Sequence, residues 1–260
     1  MKLIRALTLL AAILAAPLAA RADEAAPAVE EAAAEKEWSA SVGFDVWSEY
    51  IFRGVDLSGN DVMFNPYASF SWKGFTAYYW GAFNDADPGR WYEETDLGIE
   101  YGHDFLDGKL TLAGGAVWYL YLDGVSGKDT VELYGKATVN VLLSPYVSLY
   151  YDIDEIHGGY LSFGVSHSFD LTKTLGLGED MALSIDPSAQ LSFDLGYNSR
   201  NTQSNFDLND LLLGIKVPFQ ITEMISVHAG VQLSIALSAL SDGYGQGNEL
   251  IGNAGVTLSF

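Results

Sequence analysis

The 260-residue sequence contains no cysteine. Disulfides are therefore excluded, and burial and backbone hydrogen bonding must hold the chain together. Long apolar runs are scarce as well. Beyond Leu18 no stretch approaches the ~20 apolar residues that a membrane-spanning helix needs. Positive charge is in short supply, with 13 lysines and arginines against 34 aspartates and glutamates. That balance excludes nucleic acid as a partner, because phosphate binding needs a cationic footprint. Neither a phosphate-binding glycine loop nor a zinc-binding His-Glu-x-x-His pattern occurs, and no cofactor is expected.

What is present begins with an export signal. Lys2 and Arg5 precede an apolar run, Leu7 to Leu18, and Ala20-Arg21-Ala22 follows as a small-x-small cleavage site. Residues 1–22 are thus expected to be a signal peptide. Its removal leaves 10 basic against 34 acidic residues, a net charge of −24. Residues 23–37, "DEAAPAVEEAAAEKE", hold six of the acids and read as a solvated periplasmic tail or a short frayed helix.

From Trp38 onward the apolar period is two. In Met181–Tyr197, "MALSIDPSAQLSFDLGY", the odd positions are largely apolar and the even ones small or polar, without a slip. Twelve candidate strands follow, near 38–53, 62–72, 75–84, 91–105, 109–122, 130–141, 146–153, 160–171, 181–197, 207–219, 225–239 and 250–260. The 75–84 strand is aromatic on both faces, so parity does not orient it. Tight turns such as Lys73-Gly74 alternate with longer polar links. Short connections on one side and long ones on the other predict an all-β, antiparallel transmembrane β-barrel over residues 38–260. The link Thr172–Asp180, "TKTLGLGED", is long on the short side, and the periodicity gives it no role.

A soluble β-sandwich would also alternate. Strand lengths of mostly ten to seventeen residues favour a tilted membrane crossing. So does a polar face rich in Ser, Gly, Asn and Asp. Large aromatics also gather near the strand ends. On the short-turn side these are Trp72, Phe75, Phe105, Phe169, Phe219 and Phe260. On the long-loop side they are Tyr50, Phe52, Phe64, Trp91, Trp118, Tyr151 and Tyr197. Two such rows framing an aliphatic band form the girdles of an outer-membrane barrel, with membrane lipid as its partner.

The segment "SEYIFRGVDLS", after "WSASVGFDVW" and before "NPYASFSWKGFTAYYWGAFN", resembles the N-terminal signature of the TorF-type porins, also called the Gcw_chp family. Ser48, Tyr50, Phe52, Arg53 and Gly54 match its Ser-x-Tyr-x-Phe-Arg-Gly pattern. The resemblance covers roughly the first fifty mature residues, and the remainder matches by barrel pattern only. It implies an outer-membrane barrel of a Gram-negative-type bacterium with a transport role. The terminal Phe260 likewise resembles the insertion signal of such barrels, which implies the barrel assembly machinery as a partner.

Chemistry beyond transport finds little support. In "SHS", Ser166–Ser168, His167 shares its face with Val165 and Phe169 while both serines point the other way. A lipid hydrolase would need them on one face. "NDADPG" at 84–89 and "DIDE" at 152–155 offer carboxylates, but the spacing of an EF-hand is missing. The inward parity assigns Asp45, Glu49, Arg53, Glu94, Asp96, Glu100, Glu132, Lys136, Asp186, Asp194 and Lys216 as pore-lining residues. An acidic wall favours cations. Arg53 is expected at the mouth, paired with Glu94 or Asp96, while Tyr50 and Phe52 face lipid. The expected function is passive passage of small solutes with a weak preference for cations. The alternatives are a non-conducting structural or adhesive barrel and a lipid hydrolase.

Overall fold

The computed structural model describes residues 37–84, 93–121, 127–199, 206–242 and 245–260. The expected signal peptide, nearly all of the acidic tail, Trp91 and most of "NDADPG" lie outside these residues. In chain order the strands are β1 (Trp38–Trp47), β2 (Ile51–Phe52), β3 (Val55–Asp56), β4 (Met63–Trp72), β5 (Phe75–Asn84), β6 (Glu93–Phe105), β7 (Leu110–Leu120) and β8 (Thr130–Val139). There follow β9 (Tyr146–Asp152), β10 (Gly159–Ser166), β11 (Phe169–Asp170), β12 (Ala182–Leu195), β13 (Asp207–Gln220), β14 (Ile225–Ala236) and β15 (Glu249–Ser259). Twelve of them form the wall, each antiparallel to its neighbours. β1 pairs with both β4 and β15, and β10 pairs with β12, so the sheet closes into a barrel. Closure removes the open edges whose unpaired backbone groups would each cost several kcal/mol in hydrocarbon.

Alternation decides which side chains meet lipid. Val42, Phe44, Leu97, Ile99, Leu133, Leu213 and Ile215 are exposed on the outer surface, as a hydrocarbon-facing belt requires. Phe64, Trp118 and Tyr151 stand exposed toward the long-loop end, and Trp72, Phe75, Phe105, Phe169 and Phe260 toward the turn end. β5 is oriented by its register. Tyr78 and Trp80 lie opposite inward-facing Gly98 and Asp96, which turns Phe75, Tyr79 and Phe83 outward.

Three expectations are corrected. The first strand ends at Trp47, not at Arg53, because the chain leaves the wall at Ser48-Glu49. Tyr50 and Phe52 therefore do not face lipid: Tyr50 is buried in a cluster with Ile51 and the wall residues Trp47, Met63, Ala82 and Ile251, and Phe52 packs against it. Tyr197 also turns inward. It follows Gly196, whose φ of 84° breaks the alternation of β12, and its ring lies against Phe52.

The long link on the turn side also gains an account. It makes one helical turn, Thr172–Leu175, ended by Gly176 at a φ of 60°. Leu177 and Met181 then fold over the outer faces of Leu183, Val217 and Phe219, burying them. Phe219 is thus under a protein cover and not part of the lipid girdle.

Inside the wall, glycines and tyrosines interlock. Gly43 lies opposite Tyr67, Gly98 opposite Tyr78, Gly115 opposite Tyr134 and Gly164 opposite Tyr146. At Gly43, Gly98 and Gly164 an added Cβ would clash with the facing tyrosine ring, and at Gly115 with the Ile99 carbonyl oxygen as well as the hydroxyl end of Tyr134. The missing side chain lets the ring lie flat against the neighbouring strand. Four large side chains are thereby laid along the wall, leaving space near the axis.

Candidate functional site

The segment that leaves the wall after β1 folds back as a small hairpin inside the outer end of the barrel. β2 and β3 pair only with each other, as a sheet separate from the wall. Arg53 and Gly54 form its two-residue tip, with φ values of 50° and 79°. Positive φ at both positions is the type I′ geometry that suits tight hairpins. The left-handed region costs a non-glycine residue about 1–2 kcal/mol, so Arg53 is held there by its surroundings. The base is closed by Asp56, whose carboxylate accepts hydrogen bonds from the backbone N–H groups of Ser58, Gly59 and Asn60 at 2.9–3.0 Å. Leu240, fully buried in the one-turn helix Ser238–Ser241 that follows β14, presses on the Gly54 side of the tip.

Arg53 reaches across the barrel to β8. Its Nη1 and Nη2 donate to Glu132 Oε1 and Oε2, both at 2.7 Å, and both side chains are almost fully buried. Tyr119 Oη donates to the same carboxylate at 2.9 Å. The guanidinium carbon lies over the rings of Tyr197, Phe52, Tyr160 and Tyr150 at 4.4, 4.7, 5.0 and 5.1 Å. The Arg53 carbonyl accepts from Asn209 at 2.8 Å and Asn198 at 3.3 Å. Burying two charges costs several kcal/mol per ion, and a buried pair holds only with good geometry and further hydrogen bonds. Here the bidentate fork, the tyrosine hydroxyl and the rings supply most of that, and Arg53 Nε is the guanidinium nitrogen left without a hydrogen-bond partner among the described residues. The expected partners Glu94 and Asp96 are therefore replaced by Glu132.

The other predicted site residues fall into distinct settings. Asp45 is buried beside His228, with Nε2 to Oδ2 at 3.5 Å. Glu49 sits at the root of the hairpin, off the wall strand, with Oε2 buried and without a hydrogen-bond partner among the described residues. Burial, with Glu249 and Asp56 nearby, pushes its carboxyl up to about 7. Glu94 and Asp96 are buried on the inner face of β6, where Glu94 accepts from Tyr121 at 3.3 Å. Glu100 pairs with Lys136 at 3.3 Å. Asp194 is fully buried and caps the turn after β12 through the N–H groups of Gly196 and Ser199. Asp186 lies opposite Lys216 and accepts from Ser168 at 2.6 Å. Asp152, from "DIDE", accepts from Thr130, Asp154 and Ile156, so it organises its own loop.

Beneath the hairpin lies a cavity of about 160 Å³, lined by Tyr67, Tyr78, Tyr119, Tyr134 and Tyr150 with Asp45, Asp96, Lys136, Lys216 and His228. A second, of about 210 Å³ toward the turn end, is lined by Ser166, Asp186, Ser188, Lys216, Gln232 and Asn253. The tyrosine lining and the cage around Arg53 were not anticipated from parity. One signal was available: Ile51 occupies a polar-parity position between Glu49 and Arg53. An isoleucine there fits a packed hairpin better than a wall facing water.

A closed antiparallel barrel with an apolar belt, aromatic rows and a polar interior is a bacterial outer-membrane β-barrel of porin architecture. No family profile matches the chain and no curated relative does. Among solved structures, the KdgM porin superposes with a TM-score of 0.51 at 12% identity, over 85% of this chain and 99% of that one. The KdgM porin in complex with disordered oligogalacturonate gives 0.52, at 12% identity and the same coverage. The COG4313 outer membrane channel from Pseudomonas putida F1 gives 0.48 at 10% identity, over 91% of this chain and 100% of that one. At such identities the likeness is one of fold.

Proposed function

We propose that this protein is a porin-like channel for the passive passage of small solutes, weakly preferring cations and closed at its outer mouth by the Ile51–Asp56 hairpin. One observation carries the reading: the element blocking the mouth shares no strand pairing with the wall. It can leave without opening the barrel. The opening-motif resemblance to TorF-type porins and the fold likeness to the KdgM porin support the same class. Inner carboxylates such as Asp45, Asp96 and Glu100 support the cation preference. A polyanion such as the oligogalacturonate of the KdgM complex suits this interior poorly. A role without catalysis is supported by His167, which stacks edge-on against Phe169 at 4.7 Å while Ser168 bonds to Asp186 across the wall.

The test is planar-bilayer recording of the detergent-purified protein and of a variant in which residues 50–57 are replaced by a short glycine-serine link. The wild type is expected to conduct little and the variant to conduct in stable steps. A correctly folded variant that never conducts would return the protein to the structural or adhesive alternative.

A further inference from the structure

The partners of Arg53 amount to a receptor for the forked end of a planar cation, and all but one of them belong to the wall or to the turn after β12. Glu132 on β8 presents both carboxylate oxygens, and Tyr119 on β7 holds one of them in place. Tyr150 on β9, Tyr160 on β10 and Tyr197 after β12 supply the rings. Tyr160 is itself positioned, since its hydroxyl bonds to Ser192 at 2.6 Å and to Asp210 at 3.0 Å. The hairpin contributes the guanidinium and Phe52. Arg53 is also the only buried lysine or arginine among the described residues, set in an outer half that holds several carboxylates. It is therefore placed as a tethered ligand would be.

We propose that Glu132 and the tyrosines around it form a binding site for guanidinium-bearing solutes, which the chain's own Arg53 occupies in the closed state. A guanidinium matches the site better than an ammonium does. Its fork meets both carboxylate oxygens at once and its flat face stacks on the rings, whereas an ammonium is a compact point charge. A tethered group competes with an effective concentration in the millimolar range, so free solute displaces it only when abundant. Displacement frees the hairpin tip and opens the outer mouth. This last step rests on the channel reading, while the binding site stands apart from it.

The test is calorimetric titration in detergent with methylguanidinium, using methylammonium as the control. Arg53→Ala is expected to bind methylguanidinium saturably. Wild type and the Arg53→Ala/Glu132→Gln double variant should bind at least about tenfold more weakly, as should methylammonium to Arg53→Ala. Heat-modifiable gel mobility checks that each variant is folded, and Arg53→Gln serves in the same titration if Arg53→Ala does not form a barrel. Equal binding of the two cations, no binding by the folded variants, or binding unaffected by Glu132→Gln would overturn the proposal. Bilayer recording of the same preparations reads the channel separately. Block of the Arg53→Ala current by methylguanidinium is expected, and binding without any current would preserve the site and refute the channel.

Discussion

At the residue scale, Arg53 and Glu49 have opposite effects on the hairpin. Removing one member of a buried ion pair costs about 3–5 kcal/mol when the remaining charge stays dry. Here the hairpin is a separate sheet, so the loss falls on its seating and water reaches Glu132. Arg53→Ala is expected to raise bilayer conductance while the heat-modifiable band persists. Arg53→Lys should restore closure only in part, since its ammonium lacks the planar fork. Glu49 adds a pH dependence. Its carboxyl is raised from the usual carboxylate range to about 7 by burial, then by Glu249 and Asp56, which face it. A raised folded-state value means the seated hairpin prefers the neutral acid. That stability is complete below about 4.5 and is lost as pH rises through about 7. Conductance is expected to be higher at pH 8 than at pH 5, and Glu49→Gln should flatten the profile. A steeper profile in that variant would refute the role of this carboxyl.

At the element scale, the glycine–tyrosine pairs set how the wall is lined. Gly98→Val would drive a side chain into the Tyr78 ring, and overpacking of this kind typically costs about 1–3 kcal/mol. The variant is expected to lose its heat-modifiable band at a lower temperature. Adding Tyr78→Ala should recover part of the loss, a coupling that a double-mutant cycle measures. The wall strands were legible in the sequence because lipid on one side and polar contents on the other enforce strict alternation, which holds along β12 from Ala182 to Leu195 and ends at Gly196. The hairpin was barely legible, because parity carries Tyr50 and Phe52 on with the lipid face and only Ile51, at a polar-parity position, departs from it. Only side-chain surroundings distinguish a strand that stays in the wall from one that turns inward. The Thr172–Asp180 link was hidden for a related reason. Leu177 and Met181 bury Phe219 from outside, and a residue facing lipid reads like one facing a protein cover. The Arg53 site was half visible. The sequence marked Glu132 as inward, but pairing it with Arg53 depends on a reach across the barrel that spacing does not encode.

At the scale of the whole molecule, the proposed channel would take its selectivity from the balance of inner charge. With the hairpin released by Arg53→Ala, the reversal potential in a salt gradient is expected to lie on the cation side. Replacing Asp96 and Glu100 together by their amides should move it toward zero. A reversal potential on the anion side would sink the acidic-wall argument.

The tip of the hairpin has a further consequence, which concerns the order of assembly. Arg53 lies near the start of the chain, yet its partners are Glu132, Asn198 and Asn209, separated from it by 79, 145 and 156 positions. Those partners converge only when β12 and β13 have joined the sheet, late in the chain. The hairpin can therefore dock only in a barrel that is nearly complete. Until then the tip has no site to occupy, and seating of Arg53 is expected to come at the end of folding.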